Sequence, residues 1–184
     1  MGETQPVGQP FEEAIIIPGI SSDDSLYPIE KIEAHRQGAL HLAISVFIFS
    51  GDALLIQRRA HHKYHCGGLW ANTCCTHPHW GESNKASAKR RLQEELGIAS
   101  IPLRETTVIE YHADVGGGLS EHERVHVYRG EADRRTLRID CNQDEVCETR
   151  WIEPDALQRE MAERPEVFTP WLRIYVARWS ELYL

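Results

Sequence analysis

The sequence has no apolar run approaching the ~20 residues that a membrane-spanning helix needs, so no membrane partner is expected. Its first apolar run, Ala14 to Ile17, is too short for a secretory signal, and Gly2 lacks the Ser or Thr at position 6 that a myristoylation signal wants. Cysteine is scarce. There are five, an odd number, with Cys74 and Cys75 adjacent, which excludes a disulfide framework and points to a reducing, cytoplasmic setting. Basic charge is in deficit, with 20 Lys and Arg against 28 Asp and Glu and a formal net charge of −8. A general nucleic-acid binder carries the opposite balance, so no nucleic-acid partner is expected. An anionic ligand stays possible if a local basic patch or bound cations supply the missing charge. Internal repeats and low-complexity segments are absent too.

What is present is ordinary for a globular chain: 184 residues, 41% hydrophobic and 26% charged. That is enough to bury a continuous core, and the simplest reading is one domain over residues 1–184 with a loose polar tail over about residues 1–12. Strands are expected at Ala14–Ile17, ended by Pro18-Gly19, at Leu40–Phe49 (LHLAISVFIF) and, after the Ser50-Gly51-Asp52 turn, at Ala53–Arg58. Ile29 to His35 shows no clear period. Further strands are expected at Trp70–Cys75, Glu105–His112, Glu121–Glu131, Thr136–Ile139 and Glu148–Ile152. Helices are expected from Ser83, as N-cap, to Leu96, with Gly97 as the stop, and over Pro154–Glu163 and Pro170–Leu182. Such a mixture folds as an α+β or α/β arrangement of layers, with a mixed sheet sandwiched between helices.

The helix before Gly97 orders its charges against its own dipole. Lys85, Lys89, Arg90 and Arg91 come first, and Glu94 and Glu95 occupy the last turn. Helix dipoles favour the reverse by a few tenths of a kcal/mol per charge, so these side chains serve something besides helix stability. Glu121 and Glu123, two apart in a strand, leave the same face as Val125 and Val127. On a core-directed face two carboxylates repel and lose hydration unless a cation or a shared proton relieves them; a strand end in solvent is the plainer alternative. His35 and His41 flank the first long strand, and His77 lies two residues beyond Cys75. Three histidines and two carboxylates suit a divalent ion such as Mn²⁺, Mg²⁺ or Zn²⁺. A structural zinc site from Cys66, Cys74, Cys75 and His77 competes with that reading, but it lacks paired CxxC spacing.

The stretch from Thr76 to Ile98 resembles a Nudix box. Glu82, Arg90, Glu94, Glu95 and Gly97 fall on that family's spacing, while Thr76 stands where the first Gly belongs and Arg91 where a metal-holding Glu belongs. Ordinary Nudix hydrolysis of a diphosphate is therefore the secondary reading. The pieces AHRQGALHLA, LLIQRRAHHK, GGLWANTCCTHPHWGE, RRLQEELG, the Tyr111 strand, SEHE and FTPW, in that order, resemble one branch: the type I isopentenyl-diphosphate Δ-isomerases. The resemblance covers roughly His35 to Trp171. No flavin-binding pattern suggests the unrelated type II enzymes.

The resemblance implies an enzyme with a Nudix-like fold that interconverts isopentenyl and dimethylallyl diphosphate, through a tertiary carbocation, for isoprenoid precursor synthesis. It implies Cys75 and Glu123 as the proton-transfer pair, with Tyr111 beside Glu123 and Trp171 facing the cation. It places diphosphate contacts on Arg59 and Lys63, and metal ligands on His35, His41, His77, Glu121 and Glu123. A second ion, Mg²⁺, would be held by Glu95 and the diphosphate. The implied partner is a small prenyl diphosphate, bound by a monomer or homodimer. Two plainer readings stand beside this: Trp171 as core packing in a stripe with Tyr175, Trp179 and Leu182, and Lys63, Lys85, Lys89 and Arg90 as a solvated basic face, preferred for the last three. Arg91 is read as an internal partner for a carboxylate.

Overall fold

The apolar run after His41 shows no polar alternation because both of its faces are covered. The computed structural model describes residues 14–184; the expected loose tail, about residues 1–12, lies outside the described residues. It makes this run strand β3 (His41–Ser50), a central member of a nine-stranded mixed sheet. Ala43, Phe47 and Phe49 point into one core with Trp171, Leu172 and Tyr175. Ile44, Val46 and Ile48 point into a second core with Ala88, Leu92 and Leu96. That is the period-two geometry of a strand buried on both sides.

The neighbours of β3 follow from short turns and one crossover. β4 (Ala53–Arg59) returns beside it, pairing Ser50 with Ala53. β8 (Leu119–Glu131) runs parallel to it with His41 opposite Glu123, and β7 (Arg104–Gly116) pairs antiparallel with β8, Tyr111 opposite Glu123. β6 (Cys74–Thr76) pairs antiparallel with β3, Cys75 opposite Ser45. β1 (Ile16–Ile20) meets β3 at Gly19 and His41 and pairs along its length with β2 (Leu26–Glu30). β5 (Trp70–Ala71) and β9 (Val146–Ile152) both pair with β4.

Among the described residues, four α-helices cover the sheet. α1 (Lys31–Gln37) is capped by Glu30, whose carboxylate accepts from the backbone N–H of Ile32 and Glu33 at 3.0 and 2.8 Å. α2 (Asn84–Leu96) starts at Ser83, whose hydroxyl accepts from the Ala86 N–H at 3.3 Å, as expected. It stops at Gly97, which has φ +68° and lies where an added Cβ would meet Asp140 at 2.9 Å. Both facts call for glycine. α3 (Pro154–Glu163) and α4 (Pro170–Ala177) open with Pro at the first turn, and Thr169 caps α4 by accepting from the Leu172 N–H at 3.4 Å.

Several elements differ from the sequence expectation. β1 continues through Pro18 and Gly19, which pair with Pro28 and Tyr27. The aperiodic Ile29–His35 is divided between β2 and α1. Trp70–Cys75 is two short strands, split where the Asn72 and Thr73 side chains bond the backbone of β3 and β4 instead of continuing a ladder. Thr136–Ile139 is not a strand, since the Asp133 carbonyl accepts the N–H of both Thr136 and Leu137 in a turn. α4 ends at Ala177, and Trp179–Glu181 forms a separate 3₁₀ turn after Arg178 divides its N–H between the carbonyls of Ile174 and Tyr175.

Candidate active site

One face of the sheet assembles most of the site by register. Residues directly opposite each other in a ladder bring their side chains together on the same face. His41 opposes Glu123, Glu123 opposes Tyr111, Glu121 opposes Ala113 and Ser45 opposes Cys75. A slip of one residue in any of these pairs would turn its side chains to the other face. α1 adds His35 from beside β8, and the loop after β6 adds His77.

The histidines are set up by their second nitrogens. His35 Nδ1 lies 2.7 Å from the Lys31 carbonyl and His41 Nδ1 lies 2.7 Å from the Ala39 carbonyl. A carbonyl only accepts, so both rings carry the proton on Nδ1 and leave an Nε2 lone pair aimed inward. His35 Nε2 is buried with no hydrogen-bond partner. His41 Nε2 is 3.1 Å from His77 Nε2, which is 2.9 Å from Glu123 Oε1. Donor atoms of His35, His41, His77 and Glu123 all lie within 4.8 Å of one another. Nε2 lone pairs fixed by outer hydrogen bonds, beside a carboxylate, are the donor set of a divalent metal. Burial favours the neutral ring at two of them, lowering His35 and pushing His77 down to about 3.

Glu121 sits to one side of that group. The Tyr111 hydroxyl lies 2.9 Å from Glu121 Oε2 and 2.7 Å from Glu123 Oε2, so it bridges the two acids. A phenol has one proton to give, so the second carboxylate must be relieved by its own proton or by a cation. Burial raises both carboxyls. At Glu121 the neighbouring Glu123 charge adds to that rise. At Glu123 the histidine side, with His77 Nε2 2.9 Å from Oε1, outweighs burial and holds the group well below the usual carboxylate range. Both acids are buried, so the solvent-exposed alternative for this strand does not apply.

The two adjacent cysteines separate because β6 alternates. Cys74 faces the α2 core, fully buried among Ile44, Val46 and Leu92. Cys75 faces the other side, where its thiol donates to Asn72 Oδ1 at 2.9 Å and lies 3.3 Å from the Ser45 hydroxyl, itself 2.6 Å from Tyr175 Oη. Burial pushes the Cys75 thiol well up, opposed in part by Ser45. No candidate metal-binding group among the described residues contains a cysteine, and Cys74 and Cys75 point apart. The zinc reading of these thiols is therefore set aside.

A cavity of about 820 Å³ is lined by Cys75, Glu123 and Trp171 together with a set of cations. Arg59 lies with its guanidinium carbon 5.2 Å from the Trp171 ring centroid and donates to the His65 carbonyl at 3.2 Å. Lys63 donates to Glu145 at 2.6 Å, and Arg91 to Glu145 at 3.1 Å, to Glu94 at 2.8 Å and to Glu95. Glu95 is held on its other oxygen by Gln57 at 2.7 Å. Each carboxylate oxygen keeps a further lone pair for a cation. The expectation that Arg91 pairs with a carboxylate is met three times over. Arg90 is not a solvated charge, because it forms a two-point ion pair with Glu82 at 2.8 and 2.9 Å.

Sequence reasoning missed Lys31, which lines the same cavity. Burial and the nearby charges of Lys63, Arg91 and Arg59 lower its ammonium to about 8. Its signal was its place one turn before His35 on a helix too short to show a period. Ser45 was legible as the single hydroxyl inside the apolar β3 run. His65 was also missed. Its Nε2 is 3.9 Å from Glu121, but its Nδ1 faces an Arg59 N–H at 3.5 Å, which favours the proton on Nε2. That is the opposite tautomer from His35 and His41, although donor atoms of His35, His65 and Glu121 also lie within 4.8 Å of one another.

Comparison with known proteins agrees with this geometry. Residues 39–172 match the model of the NUDIX domain. The isopentenyl-diphosphate Delta-isomerase of Cereibacter sphaeroides is 54% identical over 156 residues, spanning 85% of this chain and 88% of that one. The protein of the same name from Rhodobacter capsulatus is 50% identical over 157 residues, spanning 85% and 89%. Among solved structures, DR0079 from Deinococcus radiodurans superposes with a TM-score of 0.71 at 16% identity, covering 89% of this chain and 98% of that one. The MutT protein of Methanosarcina mazei gives 0.59 at 16% identity, covering 77% and 93%. These two likenesses show the fold, an α+β Nudix architecture with a mixed sheet between helices. Among the described residues no helix is long and apolar enough to cross a membrane. Fold, family match and sequence identity agree: this chain belongs to the Nudix family and, within it, to the isopentenyl-diphosphate Delta-isomerases.

Proposed function

We propose that the protein interconverts isopentenyl diphosphate and dimethylallyl diphosphate, the five-carbon precursors of isoprenoids, by adding one proton and removing another. The observation that carries this reading is a half-buried thiol and a buried carboxyl, Cys75 and Glu123, lining one cavity with the Trp171 indole and a cluster of cations. Hydrolysis of a diphosphate, the other chemistry of the fold, is opposed by Arg91 standing where the Nudix box wants an acid.

An unactivated alkene is a weak base, so its protonation needs a positioned acid, and the second transfer needs a positioned base. Cys75 and Glu123 divide these tasks. One delivers a proton to the terminal alkene carbon, and the other removes a proton from the carbon on the far side of the cationic centre. The diphosphate is untouched. Since the reaction runs both ways, each group serves as acid in one direction and base in the other. Tyr111 holds the Glu123 carboxyl by its 2.7 Å hydrogen bond, and Ser45 and Asn72 hold the thiol. The tertiary carbocation between the two steps has no oxyanion to stabilise. It needs an aromatic face and the exclusion of water, and the buried Trp171 ring supplies both, worth about 2 kcal/mol when desolvated.

Arg59, Lys63, Lys31 and Arg91 bind the diphosphate. His35, His41, His77, Glu121 and Glu123 would hold one divalent ion (Mn²⁺, Zn²⁺ or Mg²⁺), and Glu95 with the diphosphate would hold a second, Mg²⁺. The donor set fits, since His35 and His41 present fixed Nε2 lone pairs and His35 Nε2 has no other partner. When bound, the first ion supplies positive charge beside Glu123 and biases which proton its carboxylate carries. The enzyme works as a monomer or homodimer, in the cytoplasm, where Cys75 stays reduced, and has no nucleic-acid partner.

The test is incubation with isopentenyl diphosphate and Mg²⁺ in D₂O. Proton NMR is expected to show dimethylallyl diphosphate and exchange of substrate protons for deuterium. Phosphate release without isomer would sink the isomerase reading in favour of hydrolysis.

A further inference from the structure

The cationic side of the cavity contains one carboxylate that neither the family match nor the reaction accounts for. Glu145 lies in the loop between β8 and β9, and its backbone is tied on both sides. Its N–H donates to the Asn142 carbonyl at 2.9 Å, and its carbonyl accepts from the Ala60 N–H at 2.9 Å. The same loop satisfies the end of α2, with the Asp140 and Asn142 N–H groups donating to the carbonyls of Leu96 and Glu95. The side chain therefore projects from a fixed point between α2 and the loop that begins at Ala60. A single oxygen, Glu145 Oε2, accepts from Lys63 Nζ at 2.6 Å and from an Arg91 guanidinium nitrogen at 3.1 Å.

Glu145 is the sole acceptor for the Lys63 ammonium among the described residues. An ammonium has three protons, so two stay available for a ligand in the cavity that Lys63 lines. Lys63 also has a four-carbon stem and sits in a loop, where an unanchored ammonium would sample many rotamers. Arg91 belongs to a different element, α2. One carboxylate oxygen thus sets the spacing between a loop cation and a helix cation.

We propose that Glu145 is a positioning residue for a diphosphate group: it clamps Lys63 and Arg91 from one side so that their remaining donors converge on the same anion. The inference rests on reading this cavity as a diphosphate site. It assigns Glu145 no contact with the reacting carbons, so its removal should act on binding and leave the proton transfers in place.

The experiment titrates inorganic pyrophosphate with Mg²⁺ into the full chain by calorimetry, beside steady-state kinetics and thermal melting, for wild type, Glu145→Ala and Glu145→Gln. Glu145→Ala is expected to weaken pyrophosphate binding about tenfold or more and to raise KM for isopentenyl diphosphate in parallel, roughly the loss of one charge-assisted hydrogen bond. Its kcat should stay within about threefold, as expected for loss of binding common to ground and transition states. Glu145→Gln keeps an oxygen that accepts from both cations and should restore binding to within about threefold. Equal or tighter pyrophosphate binding by a folded Glu145→Ala variant would overturn the proposal, because Glu145 would then be a competitor that the anion displaces. Equal weakening by Ala and Gln would overturn it as well, because charge and not placement would then be what Glu145 contributes. Should the wild type bind pyrophosphate and make no isomer, the reaction assigned above fails while the role of Glu145 stands. No pyrophosphate binding by the wild type removes both.

Discussion

The cavity has two differently built walls, and the difference follows the task we propose for each. The wall to which we assign proton transfer is made of cross-strand neighbours, with Cys75 on β6, His41 on β3, Glu121 and Glu123 on β8 and Tyr111 on β7, and Glu121 and Glu123 are only 4% and 5% exposed. The cationic wall comes mostly from helices and loops, with Lys31 on α1, Lys63 after β4 and Arg91 on α2, joined by Arg59 at the end of β4. The Lys63, Arg91 and Glu145 side chains are 19%, 19% and 23% exposed. Adding a proton to one particular carbon tolerates little misplacement, so its groups sit on paired strands that packing cannot shift. Binding a diphosphate needs charge that reaches, so Lys63 and Arg91 sit on longer stems and are placed from one side by the Glu145 carboxylate.

The largest effects should come from breaking the first wall. Cys75→Ala and Glu123→Gln are each expected to lower kcat by about 10³-fold or more, since each removes a positioned acid–base group. KM should change far less than it does when a cation is lost. Cys74→Ala, whose side chain faces the α2 core, should keep most of the activity and lose about 1–2 kcal/mol of stability, in line with deletion of a small buried group. Steady-state kinetics and urea titration of the three variants check this. Equal loss of activity in both cysteine variants would erase the distinction between the two faces of β6.

Removing divalent ions should separate the walls in another way. His35, His41, His77 and Glu123 converge within 4.8 Å, so an ion bound there stabilises the native state by linkage, about 2.7 kcal/mol at a hundredfold excess over Kd. For a chain of this length that corresponds to roughly 5–10 °C in Tm. Chelation should therefore lower Tm, and re-addition of Mn²⁺, Zn²⁺ or Mg²⁺ should restore it. His35→Ala should abolish that response, whereas Lys63→Ala should leave it intact. A Tm indifferent to chelator would count against the ligand set.

How much of this was legible in the sequence differs between the walls for the same reason. Strand residues announce their partners through period two. Glu121, Glu123, Val125 and Val127 on one face, and a hydroxyl at Ser45 in an apolar run, follow from alternation alone. What alternation leaves out is which strand lies beside which. The pairing of His41 with Glu123 across a parallel crossover, and of Cys75 with Ser45, needed the fold or the family resemblance. The cationic wall had little local signal. Lys31 sits on a seven-residue helix with no readable period, and Arg90, read as solvated, is locked to Glu82 eight residues earlier. Glu145 meets Lys63 across 82 positions and Arg91 across 54, separations on which no local pattern reports.

The smallest effect should come from the residue that touches both walls. Trp171 is 2% exposed and packs in the core with Leu172 and Tyr175, yet its ring also has the Arg59 guanidinium carbon 5.2 Å from its centroid. Its indole Nε1 is buried without a hydrogen-bond partner. Replacement by Phe therefore breaks no hydrogen bond, and it keeps an aromatic face with a weaker attraction for cations. If the ring serves the carbocation, Trp171→Phe should lower kcat partially, by no more than about 30-fold if the whole ~2 kcal/mol were lost. If the ring only fills the core, the smaller side chain should leave a cavity that lowers Tm while kcat holds. Measuring kcat, KM and Tm on the one variant separates the two. A fall in kcat with KM within a few fold would tie Trp171 to the proton-transfer wall, and a rise in KM alone would tie it, through Arg59, to the cationic one.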